Sequence, residues 1–157
     1  MQLPISRWAS MPLRLAIGFG FVFHGYPKLF SGDGHSMFVG MLEGLSVPAP
    51  AILAWLVAAL EFFGGIALIV GVFVTITSAL LIANMLVALF KVHLAAGFSF
   101  MNITGMTDAG PQFGMPGYEV NVLYIAGLAA LALLGRSPVS VDQLIATKRE
   151  KGVGGGG

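Results

Sequence analysis

The sequence predicts an all-α fold: an integral membrane four-helix bundle with both termini in the cytoplasm. The first observation behind this prediction is composition, since 57% of the 157 residues are hydrophobic and 10% are charged, against about 25% charged residues in soluble domains. The second is the stretch 62–90, whose 29 residues include no charged side chain. One upright membrane helix needs roughly 20 residues, so this stretch predicts most of two helices.

Four apolar segments are the predicted membrane-spanning helices, at about residues 13–30, 51–72, 74–94 and 119–135. The second and third are expected to be joined by a tight turn at residues 71–73. Thr75, Thr77 and Ser78 follow that turn, and hydroxyl side chains at a helix start cap free backbone N–H groups. We therefore expect the third helix to begin with a side-chain cap.

These segments form one predicted membrane domain, residues 1–147, and the Gly-rich end 148–157 is predicted to be a flexible tail. The first segment is expected to stay in the protein, because no Ala-x-Ala cleavage site follows it. Residues 37–45 are apolar apart from Glu43 and predict a short interfacial helix. Residues 97–117, rich in Gly, Met and Phe without a clear period, predict an irregular loop.

Basic residues set the predicted orientation. Six of the eight lysines and arginines lie at the start of the first segment or after the fourth, at Arg7, Arg14, Arg136, Lys148, Arg149 and Lys151. Only Lys28 and Lys91 lie at the opposite ends of the helices. Because lysine and arginine concentrate on the cytoplasmic side, both termini are expected in the cytoplasm and the two longer connections on the outer side.

The absence of cysteine and the low net charge exclude several classes of function. The chain has no cysteine, which excludes disulfides, iron–sulfur clusters and c-type haem attachment. Its net charge of +1 comes with no basic patch, so a nucleic-acid partner is not expected. The predicted partners are the lipid bilayer and other membrane-protein subunits, and any redox chemistry must belong to a bound cofactor or to such a subunit.

Six ionisable side chains fall in the outer half of the predicted bundle, where a charged group is energetically costly unless it has a partner or a function. They are Lys91 and the five residues of the predicted polar cluster, His24, Lys28, Glu61, His93 and Glu119. At about 1.5 Å per residue, Glu61 lies roughly 15 Å deep and His24 roughly 9 Å deep. Buried charges persist when they are paired or hydrogen-bonded, although Lys28 and Glu119 could also snorkel to the interface. This polar cluster is the predicted site, with quinone binding as its candidate role.

Two backbone features accompany the polar cluster. Pro27 is expected to kink or unwind the first helix, because proline removes a backbone donor, and His24 is expected to face the bundle interior. Gly64 and Gly65 lie one turn beyond Glu61 on its face of the helix. They are predicted packing residues, because small residues let membrane helices approach closely.

The chain resembles the DoxX family of small bacterial and archaeal membrane proteins. Five stretches in a fixed order carry the resemblance: RLAIGFGFVFHGYPKLF, MLEGLSVPAP, EFFGGIALIVGVF, KVH and GRSPVSVD. The resemblance extends over nearly all of residues 13–144, with the loop 97–117 unmatched. It implies a four-helix membrane bundle in a bacterial or archaeal plasma membrane.

The functional implication of the resemblance concerns redox complexes. The family is named after a protein that resembles a subunit of a thiosulfate:quinone oxidoreductase, and other members are associated with thiol and oxidative-stress complexes. The recurrent family positions correspond here to Arg14, His24, Lys28, Glu61, Gly64, Gly65, His93 and Asp142.

Two functions stay open. In the first, the chain is a subunit of an oxidoreductase or respiratory-type complex, and the His24–Glu61 cluster binds a quinone head group or moves protons. A variant of it has His24 and His93 as axial ligands of a b-type haem. In the second, the chain is a non-catalytic structural or assembly subunit, whose polar cluster specifies the bundle. In neither is the chain interpreted as an enzyme on its own, and no metal site is predicted.

Overall fold

The computed structural model describes residue 8, residues 10–134 and residues 140–141, and this part of the chain is mostly helical. Its elements, in chain order, are α1 (Ser10–Phe30), α2 (Gly32–Gly44), α3 (Pro50–Val70), α4 (Val74–Ala88), β1 (Ile103–Thr107), β2 (Gly110–Phe113) and α5 (Glu119–Leu134). A π-helical turn, Leu89–His93, and a 3₁₀ turn, Leu94–Ala96, extend α4. The predicted tail 148–157, Asp142 and the basic residues after the fourth segment lie outside the described residues.

Helix α1 does not unwind at Pro27, so that part of the prediction was wrong. The helix continues to Phe30, and the N–H of Ser31 donates to the carbonyl of Pro27 at 3.1 Å. Pro27 lies in the last turn of α1 and removes one intrahelical bond, the one that an N–H at this position would donate to the carbonyl of Phe23. A proline in this position is therefore accommodated within the helix.

The short helix between the first two long segments is confirmed, but it begins five residues before the apolar stretch at residue 37. Ser31 caps α2, because its side-chain oxygen accepts from the N–H of Gly34 at 3.2 Å. Asp33 in the first turn adds a favourable charge at the positive end of the helix dipole. Polar capping thus sets the start of α2 ahead of its apolar centre.

The predicted turn between the second and third segments is also confirmed. Gly71 ends α3 in the left-handed conformation, with φ 74°, which glycine adopts without steric cost. The predicted side-chain cap is wrong, because Phe73 occupies the N-cap of α4 and contributes no side-chain hydrogen bond there. Thr75 instead donates to the carbonyl of Ala132 in α5 at 3.5 Å, and Ser78 is fully buried.

Residues 97–117 are not an irregular loop, which corrects that prediction and adds a small sheet to the helical fold. Strands β1 and β2 form an antiparallel hairpin. Its base is closed by backbone bonds, including Gly114 N–H to the carbonyl of Asn102 at 2.8 Å. The strands could not be predicted from the sequence, because Gly, Met and Pro interrupt the alternation of β-forming residues that usually identifies a strand.

Contacting long helices run antiparallel. Arg14 near the start of α1 donates to Leu68 near the end of α3, whereas Lys28 near the end of α1 reaches Glu61 in the middle of α3. Helices α4 and α5 are antiparallel too, since the start of α4 meets the end of α5 through Thr75. The hydrophobic core between the helices consists of Ile17, Phe21, Leu68, Val74, Leu81, Leu128 and Leu131.

Two described helices are long and apolar enough to cross a membrane: α3 and the continuous stretch Val74–Ala96. Helix α5 is a shorter apolar helix of 16 residues. Large apolar side chains also cover the outside of the molecule, among them Phe19, Phe23, Ile76 and Leu123. Such a surface is suited to lipid rather than to water.

Candidate functional site

A buried carboxylate joins three helices. Glu61 of α3 is 7% exposed. One of its oxygens, Oε2, lies 2.6 Å from Nζ of Lys28 in α1, and the other, Oε1, accepts from Nδ2 of Asn84 in α4 at 3.1 Å. We call these three residues the Lys28–Glu61–Asn84 triad. Both carboxylate oxygens are satisfied, as burial of such a group requires.

Glycines bring the helices close enough for these contacts. A Cβ added at Gly25 of α1 would lie 2.6 Å from the backbone nitrogen of Phe62, so α1 rests directly on the α3 backbone beside Glu61. Lys28 is three residues further along α1, on the same face. Its side chain therefore reaches Glu61 from the neighbouring turn.

Helix α2 packs against Lys28. The Nζ of Lys28 lies 4.5 Å from the ring centroid of Phe38, a cation–π distance. His35 contacts both flanking helices, because its Nδ1 donates to the carbonyl of Lys28 at 2.9 Å and its ring lies 4.0 Å from that of Trp55 in α3. The Lys28 side chain keeps 23% of its surface exposed, so one side of the triad is open at the surface of the molecule.

His24 does not belong to this group, which corrects the expectation that it faces the bundle interior. Its side chain is exposed, and its ring packs edge to face against Phe23 with centroids 5.7 Å apart. Gly25 and Lys28 define the side of α1 that meets α3. Because each helical residue turns by about 100°, His24 is rotated away from that side.

His93 and Glu119 contact the base of the hairpin and do not contribute to the triad. His93, in the π-helical turn, donates from Nδ1 to the carbonyl of Pro116 at 2.8 Å. The Glu119 carboxylate, at the start of α5, accepts from the backbone N–H of Phe100 at 2.9 Å. The predicted polar cluster therefore separates into the triad, an anchoring pair at the base of the hairpin, and an outward-facing His24.

Gly64 and Gly65 pack against different helices. A Cβ at Gly65 would lie 2.6 Å from the carbonyl oxygen of Gly18 in α1. A Cβ at Gly64 would lie 3.4 Å from a side-chain methyl of Leu81 in α4, an ordinary contact. The two adjacent glycines thus face the two helices that complete the triad, and only Gly65 lies against backbone.

Two polar residues with contacts between helices were not included in the predicted site. Asn84 supplies the third member of the triad, and nothing in a lone asparagine within an apolar helix identifies its partner. Arg14, taken as a cytoplasmic charge, is 2% exposed. Its Nε and Nη2 donate to the carbonyls of Leu68 and Ile69 in the last turn of α3, each at 2.8 Å, and the Leu68 carbonyl also accepts from the N–H of Gly71 at 3.2 Å.

Replacing Arg14 by methionine is expected to destabilise the fold, because two charge-assisted hydrogen bonds and a favourable charge at a helix C-terminus are lost. Such bonds contribute about 1.5–3 kcal/mol each. Arg14→Lys should recover part of this loss, since lysine keeps the charge without the planar fork. The free energy of unfolding in detergent micelles is the measurement, and equal values for wild type and Arg14→Met would contradict the assignment.

Among the described residues, no group of three or more His, Asp or Glu side chains lies close enough to hold a metal ion.

A family model described as DoxX matches residues 9–94. The match contains α1 to α4 and all three members of the triad, and it ends before the hairpin and α5, so the extent expected from the sequence, 13–144, is only partly matched. No curated protein and no solved structure matches the chain.

Proposed function

Starting from the fact that this chain belongs to the DoxX family and is a membrane protein, we propose that it is a subunit of an oxidoreductase or respiratory-type complex. Its own contribution is a quinone-binding or proton-handling site built on the Lys28–Glu61–Asn84 triad. The observation that carries the proposal is a buried carboxylate paired with an ammonium group and an amide, in which the ammonium side chain is partly exposed. Ionisable groups inside a membrane are by default functional candidates.

The proposed topology is a four-helix bundle that crosses a bacterial or archaeal plasma membrane four times. It is supported by the antiparallel contacts of the long helices and by the basic residues at the start and end of the chain. An even number of crossings puts both termini on one side, proposed to be the cytoplasm. The triad and α2 then belong to the outer half of the bundle.

The donor set of the triad fits a quinone head group. Lys28 and Asn84 present N–H donors, and quinone carbonyls are acceptors, while Glu61 orients both donors. A bound quinone would supply two-electron chemistry, with electrons from a partner subunit, because no redox centre is evident in this chain. The residues of the triad would exchange the accompanying protons with solvent through the exposed side of Lys28. The haem alternative is not carried further, because His24 points away from the helix interface.

A second candidate function is a structural or assembly subunit, and one observation favours it. The triad ties α1, α3 and α4 together through fully engaged carboxylate oxygens. A buried polar network of this kind can specify one arrangement of helices. In that role Glu61 would need no ligand, and its loss would impair folding or assembly rather than turnover.

Glu61→Gln separates these functions, because glutamine keeps the volume and an acceptor oxygen but cannot take up a proton. The protein is purified from native membranes in mild detergent, and copurifying subunits and quinone are quantified by mass spectrometry. We expect unchanged subunit stoichiometry, with loss of bound quinone and of the partner's turnover. The matched control is Glu43→Gln, the same change at an exposed carboxylate of α2, which should change neither.

Either of two results would overturn the redox proposal. Loss of the partner subunits from Glu61→Gln would assign the triad to assembly. Unchanged quinone content and turnover in Glu61→Gln would remove it from the chemistry.

A further inference from the structure

The hairpin has one apolar face, and a β-bulge creates it. Ile103 pairs with Phe113 and Met106 pairs with Pro111. One residue lies between the two partners on β2 but two lie between them on β1, and the register shifts between Ile103 and Gly105. Cross-strand partners share a face of the sheet, and side chains alternate along a strand. Without the bulge, Ile103 and Met106 would point to opposite faces.

The bulge therefore collects four apolar side chains on one side. We call this side the apolar face; it comprises Ile103, Met106, Pro111 and Phe113. The opposite side carries Gln112 and Thr107 with two glycines, Gly105 and Gly110. A hairpin with one apolar face and one polar face is suited to lie on an apolar surface.

The rest of the described chain leaves the apolar face uncovered. Ile103 is 52% exposed, Met106 76% and Phe113 59%. Residues 97–117 contain a single charged side chain, Asp108, located in the turn between the strands. Free in water, such a surface would promote association.

The base of the hairpin is fixed to helix ends at the membrane boundary. His93 binds Pro116, and Glu119 binds Phe100, so both ends of the segment are pinned between α4 and α5. Beside these anchors the helices expose Phe90, Leu94 and Leu123, the type of surface that faces lipid. The apolar face of the hairpin adds further exposed apolar side chains next to these helix ends.

We infer that the hairpin lies along the membrane–water interface, with its apolar face in the lipid leaflet beside the end of α4 and the start of α5. Lipid is the favoured occupant because the apolar face is exposed and both ends of the hairpin are anchored at the ends of two apolar helices. The segment offers no lysine or arginine and one carboxylate, so it presents little charge for a protein partner to recognise. This inference rests on membrane insertion of the chain and does not depend on the redox function.

Site-directed spin labelling tests the inference in the full chain reconstituted in phospholipid nanodiscs. The sequence contains no cysteine, so single labels can be attached at Met106→Cys and, as the matched control on the opposite face, at Gln112→Cys. Collision rates are measured with oxygen, which concentrates in lipid, and with a water-soluble nickel chelate. We expect the ratio of oxygen to nickel accessibility to be severalfold higher at position 106 than at position 112.

The other outcomes each overturn the inference. Similar ratios at both positions, dominated by nickel, would place the hairpin in water. Protection of position 106 from both reagents would show a protein occupant, either a second copy or a partner subunit. Both labels lie on exposed side chains, and circular dichroism of each labelled protein verifies that the helices are retained.

Discussion

Replacing Gly65 by alanine is expected to separate α1 from α3 and to cause a large loss of stability for the addition of a single methyl group. The new Cβ would lie 2.6 Å from the carbonyl oxygen of Gly18 and 2.8 Å from the backbone nitrogen of Val22. Overpacking usually costs about 1–3 kcal/mol when side chains can adjust. Here the obstacles are backbone atoms, so the cost should reach or exceed the upper end of that range.

Gly64→Ala is the matched control for Gly65→Ala. Both changes gain helix propensity of about 1 kcal/mol, but the Cβ at position 64 meets a Leu81 methyl at 3.4 Å. We therefore expect Gly64→Ala to be neutral or stabilising in the same unfolding measurement in detergent. If the two variants were equally stable, the close approach of α1 and α3 at Gly18 would be refuted.

Removing Lys28 is expected to cost more than removing Glu61. Lys28→Met leaves a buried carboxylate with Asn84 as its remaining partner, and breaking a buried ion pair costs about 3–5 kcal/mol. Because the Lys28 side chain is about one quarter exposed, solvent screening should reduce the loss to about 2 kcal/mol. Glu61→Leu leaves a lysine whose flexible stem can carry its charge outward, so its loss should be smaller.

The double variant Lys28→Met with Glu61→Leu measures the coupling directly. Its loss of stability should be less than the sum of the single losses, by about 1–3 kcal/mol. Lys91 is exposed, so Lys91→Met combined with Glu61→Leu serves as the control, and its effects should add. Strict additivity for Lys28 and Glu61 would mean that their ion pair contributes nothing to the fold.

The sequence predicted the helical segments well, because membrane insertion constrains length and composition directly. Helices occupy the described parts of all four predicted segments, and the turn at Gly71 follows from the length of the charge-free stretch. The need of Glu61 for a partner was also predictable, since a carboxylate at that depth requires one. Family membership, predicted from short stretches, is confirmed over residues 9–94.

Other features depend on geometry that a lone sequence does not encode. The rotation of α1, fixed by Gly18 and Gly25 against α3, turns His24 outward, and apolar periodicity cannot determine it because lipid-facing and core-facing residues are both apolar. Asn84 lies 23 residues from Glu61 along the chain, so their contact requires the helix register. The hairpin was missed because a bulge breaks the alternation that identifies strands.

The pairing of α1 with α3 has a consequence for biogenesis. Arg14 and Lys28 of α1 find their partners on a helix that is synthesised later, with α2 in between. Until α3 leaves the ribosome, α1 would carry these two cations without their partners in α3, and it is not one of the two described helices that are long and apolar enough to cross a membrane. At ordinary translation rates this interval lasts several seconds. We therefore expect α1 to stay beside the translocon until α3 emerges, and the α1–α3 pair, rather than α1 alone, to enter the bilayer.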